Sequence, residues 1–147
     1  MKQKITRLFC IFTIAALGLA ACAPIQAQEG QIYVSGKEAT LSTVINKRLM
    51  DCPIPPGDLA YAVRETYLGI IKNDELWDKI PLTEVAHTGP ECGFNDFIRE
   101  NPENAGWTPI EDNEALKKAK DLLCAEPKTR QLNPKLDESC NAWGRKR

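Results

Sequence analysis

Residues 40–52, Thr-Leu-Ser-Thr-Val-Ile-Asn-Lys-Arg-Leu-Met-Asp-Cys, decide the fold class. Leu41, Val44, Ile45, Leu49 and Cys52 fall at offsets 0, 3, 4, 8 and 11, the spacing that lines one face of a 3.6-residue period. Thr40 is placed to cap the start. Pro53, Pro55 and Pro56 stop the run, because proline fixes φ and removes a donor. The reading is a helix.

The downstream sequence is read in the same way. Asp58 is a candidate N-cap, with Leu59, Val63, Tyr67 and Ile70 at offsets 0, 4, 8 and 11. This second helix runs on, or breaks and resumes, through Leu76, Trp77 and Ile80 before Pro81. Pro81 to Gly93 reads as a loop, with Gly89-Pro90 as its turn signal. Phe94, Phe97 and Ile98 form a short amphipathic segment closed by Pro102. Thr108-Pro109-Ile110-Glu111 supplies a capping hydroxyl, a proline for the first helical position and the acid of a capping box. Ala115, Ala119, Leu122 and Leu123 are the expected buried face of that helix. Asn133-Pro134 then opens a last short helix running through Cys140 and Trp143. The expectation is an all-α domain over residues 40–147, a small bundle of four to five short helices.

Upstream, residues 22–39 are small and polar, and only Ile32-Tyr33-Val34 hints at a short strand. They read as a flexible tether spanning roughly 20–25 Å. Residues 1–21 read as a signal peptide. Lys2, Lys4 and Arg7 form a basic start, and Leu8 to Ala21 is a fourteen-residue stretch without charge. A membrane-spanning helix needs about 20 apolar residues, so this stretch suits the core of a secretory signal. Leu19-Ala20-Ala21-Cys22 resembles the bacterial lipobox. The resemblance implies cleavage before Cys22, a diacylglycerol on its thiol, and attachment to the cell envelope. Ala23 in the next position implies the outer membrane, facing the periplasm. Cleavage after Ala27 is the alternative and would release a periplasmic or secreted protein.

Three of the nineteen basic residues lie in that leader, leaving sixteen against twenty acids, a net charge of −4. That balance excludes general nucleic-acid binding, which wants a strongly basic face. Of six cysteines, Cys10 lies in the leader and Cys22 takes lipid. Cys52, Cys92, Cys124 and Cys140 remain, and in an exported domain they read as two disulfides with three possible connectivities. Cys52–Cys92 with Cys124–Cys140 is preferred, since each partner sits at an expected helix end. No Cys-x-x-Cys pair suggests zinc or thiol chemistry.

Chemistry has few candidates. His87 is the single histidine, with Thr83, Glu84, Thr88 and Glu91 near it in sequence. A hydrolytic triad needs a nucleophile and a carboxylate around such a histidine, and no Gly-x-Ser-x-Gly turn is present. Trp77, Trp107 and Trp143 are read as packing residues rather than as a sugar-binding wall. Arg145-Lys146-Arg147 is read as a solvated end. No catalytic, cofactor or metal site, and no small-molecule substrate, is expected.

Phe97-Ile98-Arg99-Glu100-Asn101-Pro102-Glu103, then Ala115-Leu116, then Cys124, resembles part of the periplasmic immunity proteins that neutralise type VI secretion amidase toxins. The match spans residues 92–124, and it implies a small, exported, helical, disulfide-bonded inhibitor. The expected function is therefore a lipid-anchored envelope protein, not an enzyme, binding an unidentified protein partner. Toxin immunity or exclusion is its most concrete form. A structural part of a secretion or conjugation assembly is the alternative, and a small cell-wall hydrolase the least favoured.

Overall fold

The computed structural model describes residues 26–145. The domain is built on a seven-stranded antiparallel sheet, not a helical bundle. Its strands are β1 (Ile32–Ser35), β2 (Ala39–Ile45), β3 (Arg48–Ile54), β4 (Leu59–Lys72), β5 (Glu75–His87), β6 (Asp96–Ile98) and β7 (Trp107–Pro109). Three helices follow: α1 (Asn113–Ala125), α2 (Pro127–Leu132) and α3 (Pro134–Arg145). The strand order is β3-β2-β6-β5-β4-β1-β7.

The expected helix over 40–52 is a β-hairpin. Ala39 to Ile45 pairs with Arg48 to Ile54, Leu41 lying opposite Cys52. The turn is Asn46-Lys47, both at positive φ (51° and 64°), the backbone of a two-residue turn whose twist matches the strands it joins. Asn73-Asp74 repeats the device (φ 53° and 64°), and it converts the expected second helix into the hairpin β4–β5. Residues 81–87, expected in a loop, belong to β5, and the segment around Phe97 is β6. β-Branched and aromatic residues suit a pleated surface, and here they outweigh the helical spacing of the leucines. The prolines respect the ladder: Pro53 and Pro109 lie on the outermost strands β3 and β7, where a missing donor costs no pairing.

The sheet buries both faces. Tyr33, Ala39, Leu41, Ala60, Ala62, Val85, Ile98 and Trp107 form one core. Ile32, Leu59, Tyr61, Val63 and Ala86 point the other way, against Ala119, Leu123, Leu136 and Cys140 of the helices. Successive residues such as Ile32 and Tyr33 thus enter different cores, as the period of two requires. At Gly106 (φ +82°) a Cβ would lie 2.0 Å from the Glu38 carbonyl oxygen. Only glycine permits the lead into β7 to approach the start of β2, where Trp107 Nε1 donates to the Thr40 carbonyl (2.9 Å).

Residues 27–39, expected within the tether, lie in the folded domain. Ala27 is fully buried in the first core, and β1 pairs with both β4 and β7. Burial of Ile32 and Tyr33 offsets the entropy of ordering this polar stretch.

The disulfides join Cys52 to Cys92 (Cα–Cα 6.0 Å) and Cys124 to Cys140 (5.6 Å). The second ties α1 to α3. The first ties edge strand β3 to the β5–β6 connection, so Cys52 and Cys92 do not sit at helix ends.

The helix expected from Thr108 starts four residues later. Thr108 lies in β7 opposite Val34, and the cap is Asp112, whose Oδ1 accepts from the Ala115 N–H at 2.8 Å. Leu116, Ala119 and Leu123 face the sheet. Leu122, expected inside, is half exposed, and Ala115 is exposed. Asp112→Ala should lower stability by about 0.5–2 kcal/mol, whereas Thr108→Ala should stay within about 0.5 kcal/mol. Urea midpoints of the two variants check the assignment, and the reverse order would restore Thr108 as the cap.

Candidate functional site

His87, at the end of β5, is buried against Asp96 at the start of β6, with Nε2 2.6 Å from Asp96 Oδ2. The same oxygen accepts from the Cys92 N–H (3.2 Å). Asp58 reaches the same spot: a Cβ on Gly89 would lie 2.6 Å from Asp58 Oδ2 and 3.3 Å from His87 Nδ1. Asp58 Oδ2, His87 Nδ1 and Asp96 Oδ1 are buried without a hydrogen-bond partner among the described residues.

His87 and Asp96 tie the end of β5 to the start of β6. The hydroxyls near this pair are engaged elsewhere: Thr88 Oγ1 accepts from the Leu59 N–H, and Thr83 Oγ1 donates to the Ala27 carbonyl. Glu91 pairs with Lys128, and Glu84 with Arg64. Among the described residues no group of three His, Cys, Asp or Glu side chains is arranged to hold a metal ion. With the Cys52–Cys92 bond, the His87–Asp96 pair fastens the β5–β6 connection. His87→Phe should cost on the order of 1–3 kcal/mol, because Asp96 keeps only the Cys92 donor in a buried place. A thermal transition unchanged from wild type would show that the pair fastens nothing.

The tryptophans lie in three different settings. Trp107 is in the sheet core. Trp143 packs edge-on against Tyr61 (5.8 Å between centroids) under Lys120. Trp77 is exposed on β5. Arg145 ends α3 in solvent. Cys22, the lipobox and the leader lie outside the described residues, as do Lys146 and Arg147.

The surface that stands out is the far half of the β4–β5 hairpin. β1 flanks β4 only as far as Tyr61, and β6 flanks β5 only from Thr83 onward. Thr66 to Pro81 therefore extends as a two-stranded arm rooted on the fully buried Leu82, each strand roughly 24 Å long at 3.4 Å per residue. Tyr67 is 56% exposed, Ile71 63%, Leu76 50% and Trp77 65%. On the face of β4 opposite Tyr67 and Ile71, Leu68 and Ile70 are half-buried, with Ile80 opposite Leu68 in the ladder. Lys79 lies over the Tyr67 ring (4.5 Å) and Lys72 over Trp77 (5.5 Å). A solvated hairpin ordinarily alternates apolar and polar residues, and this one is apolar on both faces. The helix expected to carry Tyr67, Ile70, Leu76, Trp77 and Ile80 is replaced by this hairpin. The signal that identifies them is the uncharged, proline-free run Thr66–Ile71, which suits a strand with both faces covered.

Comparison with models of known protein families, with curated proteins and with solved structures gave no match. In the stretch whose sequence resembles the amidase immunity proteins, residues 92–124 contain β6, β7 and most of α1. The all-helical fold implied by that resemblance is not the fold of this chain.

Proposed function

We propose that this chain is a lipid-anchored protein of the bacterial envelope that acts by protein–protein binding, with the β4–β5 arm as its binding element. The observation that carries the reading is the arm itself. An isolated two-stranded hairpin is marginal in water, and exposed clusters of large apolar side chains mark surfaces that other molecules cover. The lipobox supplies the envelope address. Protection, as in toxin immunity or exclusion, is one form of such binding. The open strand edges of the arm favour the second form, a part in an envelope assembly, because main-chain pairing along an edge is a means of joining chains.

Crosslinking in intact envelopes tests the reading. The full chain should give discrete adducts, and Tyr67→Ser combined with Trp77→Ser should lose them. Both changes are on solvent-exposed positions, so the thermal transition of the variant should match wild type. Adducts that survive the double substitution would overturn the arm as the binding element.

A further inference from the structure

We infer that the arm's partner is a second copy of this chain, paired antiparallel through the outer edge of β4 about a two-fold axis near Gly69. The inference rests on the arm being the binding element and names what it binds.

The edge comes first. From Arg64 to Lys72 the side of β4 facing away from β5 meets no strand among the described residues. Natural edges are guarded by proline, by charge or by bulges. The outer edge of β5 has these guards: Pro81, Lys79 and Asp78, and a register shift opposite Ile70 and Ile71. Thr66-Tyr67-Leu68-Gly69-Ile70-Ile71 of β4 has neither proline nor charge. That composition is the one that favours strand addition.

Self-complementarity identifies the occupant. In a two-fold pair of identical antiparallel strands a residue must face a residue of the same pleat face, so the axis passes through a residue position. With the axis at Gly69, Tyr67 lies opposite Ile71 of the second copy, and Leu68 lies opposite Ile70. Thr66 faces Lys72, and Arg64 falls beyond the end of the second copy's strand, at its Asn73-Asp74 turn. With the axis at Leu68, Arg64 would instead face Lys72, a like-charge pair that destabilises. Pairing about Gly69 therefore sets apolar side chains of β4 beside apolar side chains of the second copy on both faces at once. A partner docked on one face would leave the other wet, so the two-faced apolarity favours strand pairing. At the axis itself glycine leaves room for two backbones to meet.

Disulfide trapping in intact envelopes tests the register with the full chain. Directly opposed residues in an antiparallel pair bring their Cα atoms to about 4.5–5.5 Å, within reach of a disulfide. Gly69→Cys should therefore give a covalent dimer of twice the monomer mass. A Cβ there meets Leu76 Cδ1 (3.0 Å), the end of a side chain that can turn aside, and touches Tyr67 Cε2 at 4.0 Å. As a second route, Tyr67→Cys and Ile71→Cys should each fail alone, because each residue lies roughly 13 Å along the strand from its own copy. Expressed together on two tagged copies, they should join. Position-independent crosslinking, or no dimer at any of these positions, would overturn the inference. If the adducts of the Proposed function experiment depend on Tyr67 and Trp77 but contain a different protein, or if the arm instead holds the chain to lipid vesicles, the second copy is excluded. If those adducts do not depend on the arm at all, the underlying reading fails first.

Discussion

Trp107→Ala is expected to destabilise the domain by about 3–5 kcal/mol, the usual cost of deleting a large buried aromatic side chain. Two features place it at the upper end. The indole is fully buried, at the centre of the core enclosed by β1, β2, β4, β5 and β6. Its Nε1 also donates to the Thr40 carbonyl, a bond worth on the order of a further 0.5–1.5 kcal/mol. Domains of this kind have about 5–15 kcal/mol in total, so the variant should populate the unfolded state measurably at physiological temperature. Urea unfolding followed by circular dichroism gives the number. Trp77→Ala is the internal control: its ring is mostly in solvent, and the change should stay within about 0.5 kcal/mol. Equal losses at the two positions would mean that Trp107 does not close the core.

Cys22→Ser is expected to abolish lipid labelling and release the protein from membranes. The expectation comes from Leu19-Ala20-Ala21-Cys22 at the end of a charge-free stretch, since serine cannot form the thioether to diacylglycerol. Several acyl chains hold a protein far more firmly than one, which gives only marginal binding, so the effect should be all-or-none rather than graded. Metabolic labelling with a fatty acid, read beside membrane fractionation, decides it. Label retained by the variant would remove the anchor from the proposed function and leave cleavage after Ala27 as the better account.

Two of the three helices were legible from the sequence, α1 with its start set four residues early, whereas α2 and the sheet were not. Asn133-Pro134 opens α3, and the Ala115–Leu123 stretch lies in a helix, because no other feature competed with its pattern there. Ile32-Tyr33-Val34 showed its strand. Elsewhere the sheet is buried on both faces, so β4 carries Leu59, Tyr61 and Val63 toward one core and Ala60 and Ala62 toward another. A strand of that kind loses the polar–apolar alternation that identifies it, and chance spacings of three and four can then imitate a helix. The decisive local signals were Asn46-Lys47 and Asn73-Asp74. Without glycine in the second position they are weaker hairpin signals than Asn-Gly. For the candidate surface the same ambiguity had a functional cost: Tyr67, Ile70 and Trp77 were assigned to a helix when they line an exposed arm. His87 was read as a loop residue, and its partner Asp96 could not be chosen among twenty acids before the β5–β6 pairing was known.

Ala27 enters the fold beside Thr83, and Gly30 donates to the Ala62 carbonyl, so the chain arrives at the root of the arm. A lipid on Cys22 would hang from that end of the molecule by five residues, at most about 18 Å of chain. Anchored copies would then diffuse in a plane with their arms at a common height. Confinement of this sort raises the effective concentration of one arm for another, much as a linker does for joined binding modules. It also removes in advance part of the translational and rotational freedom that association costs. A strand pairing too weak to hold two copies together in free solution would be enough on a crowded leaflet, so assembly would be governed by surface density rather than by the amount of protein in the cell.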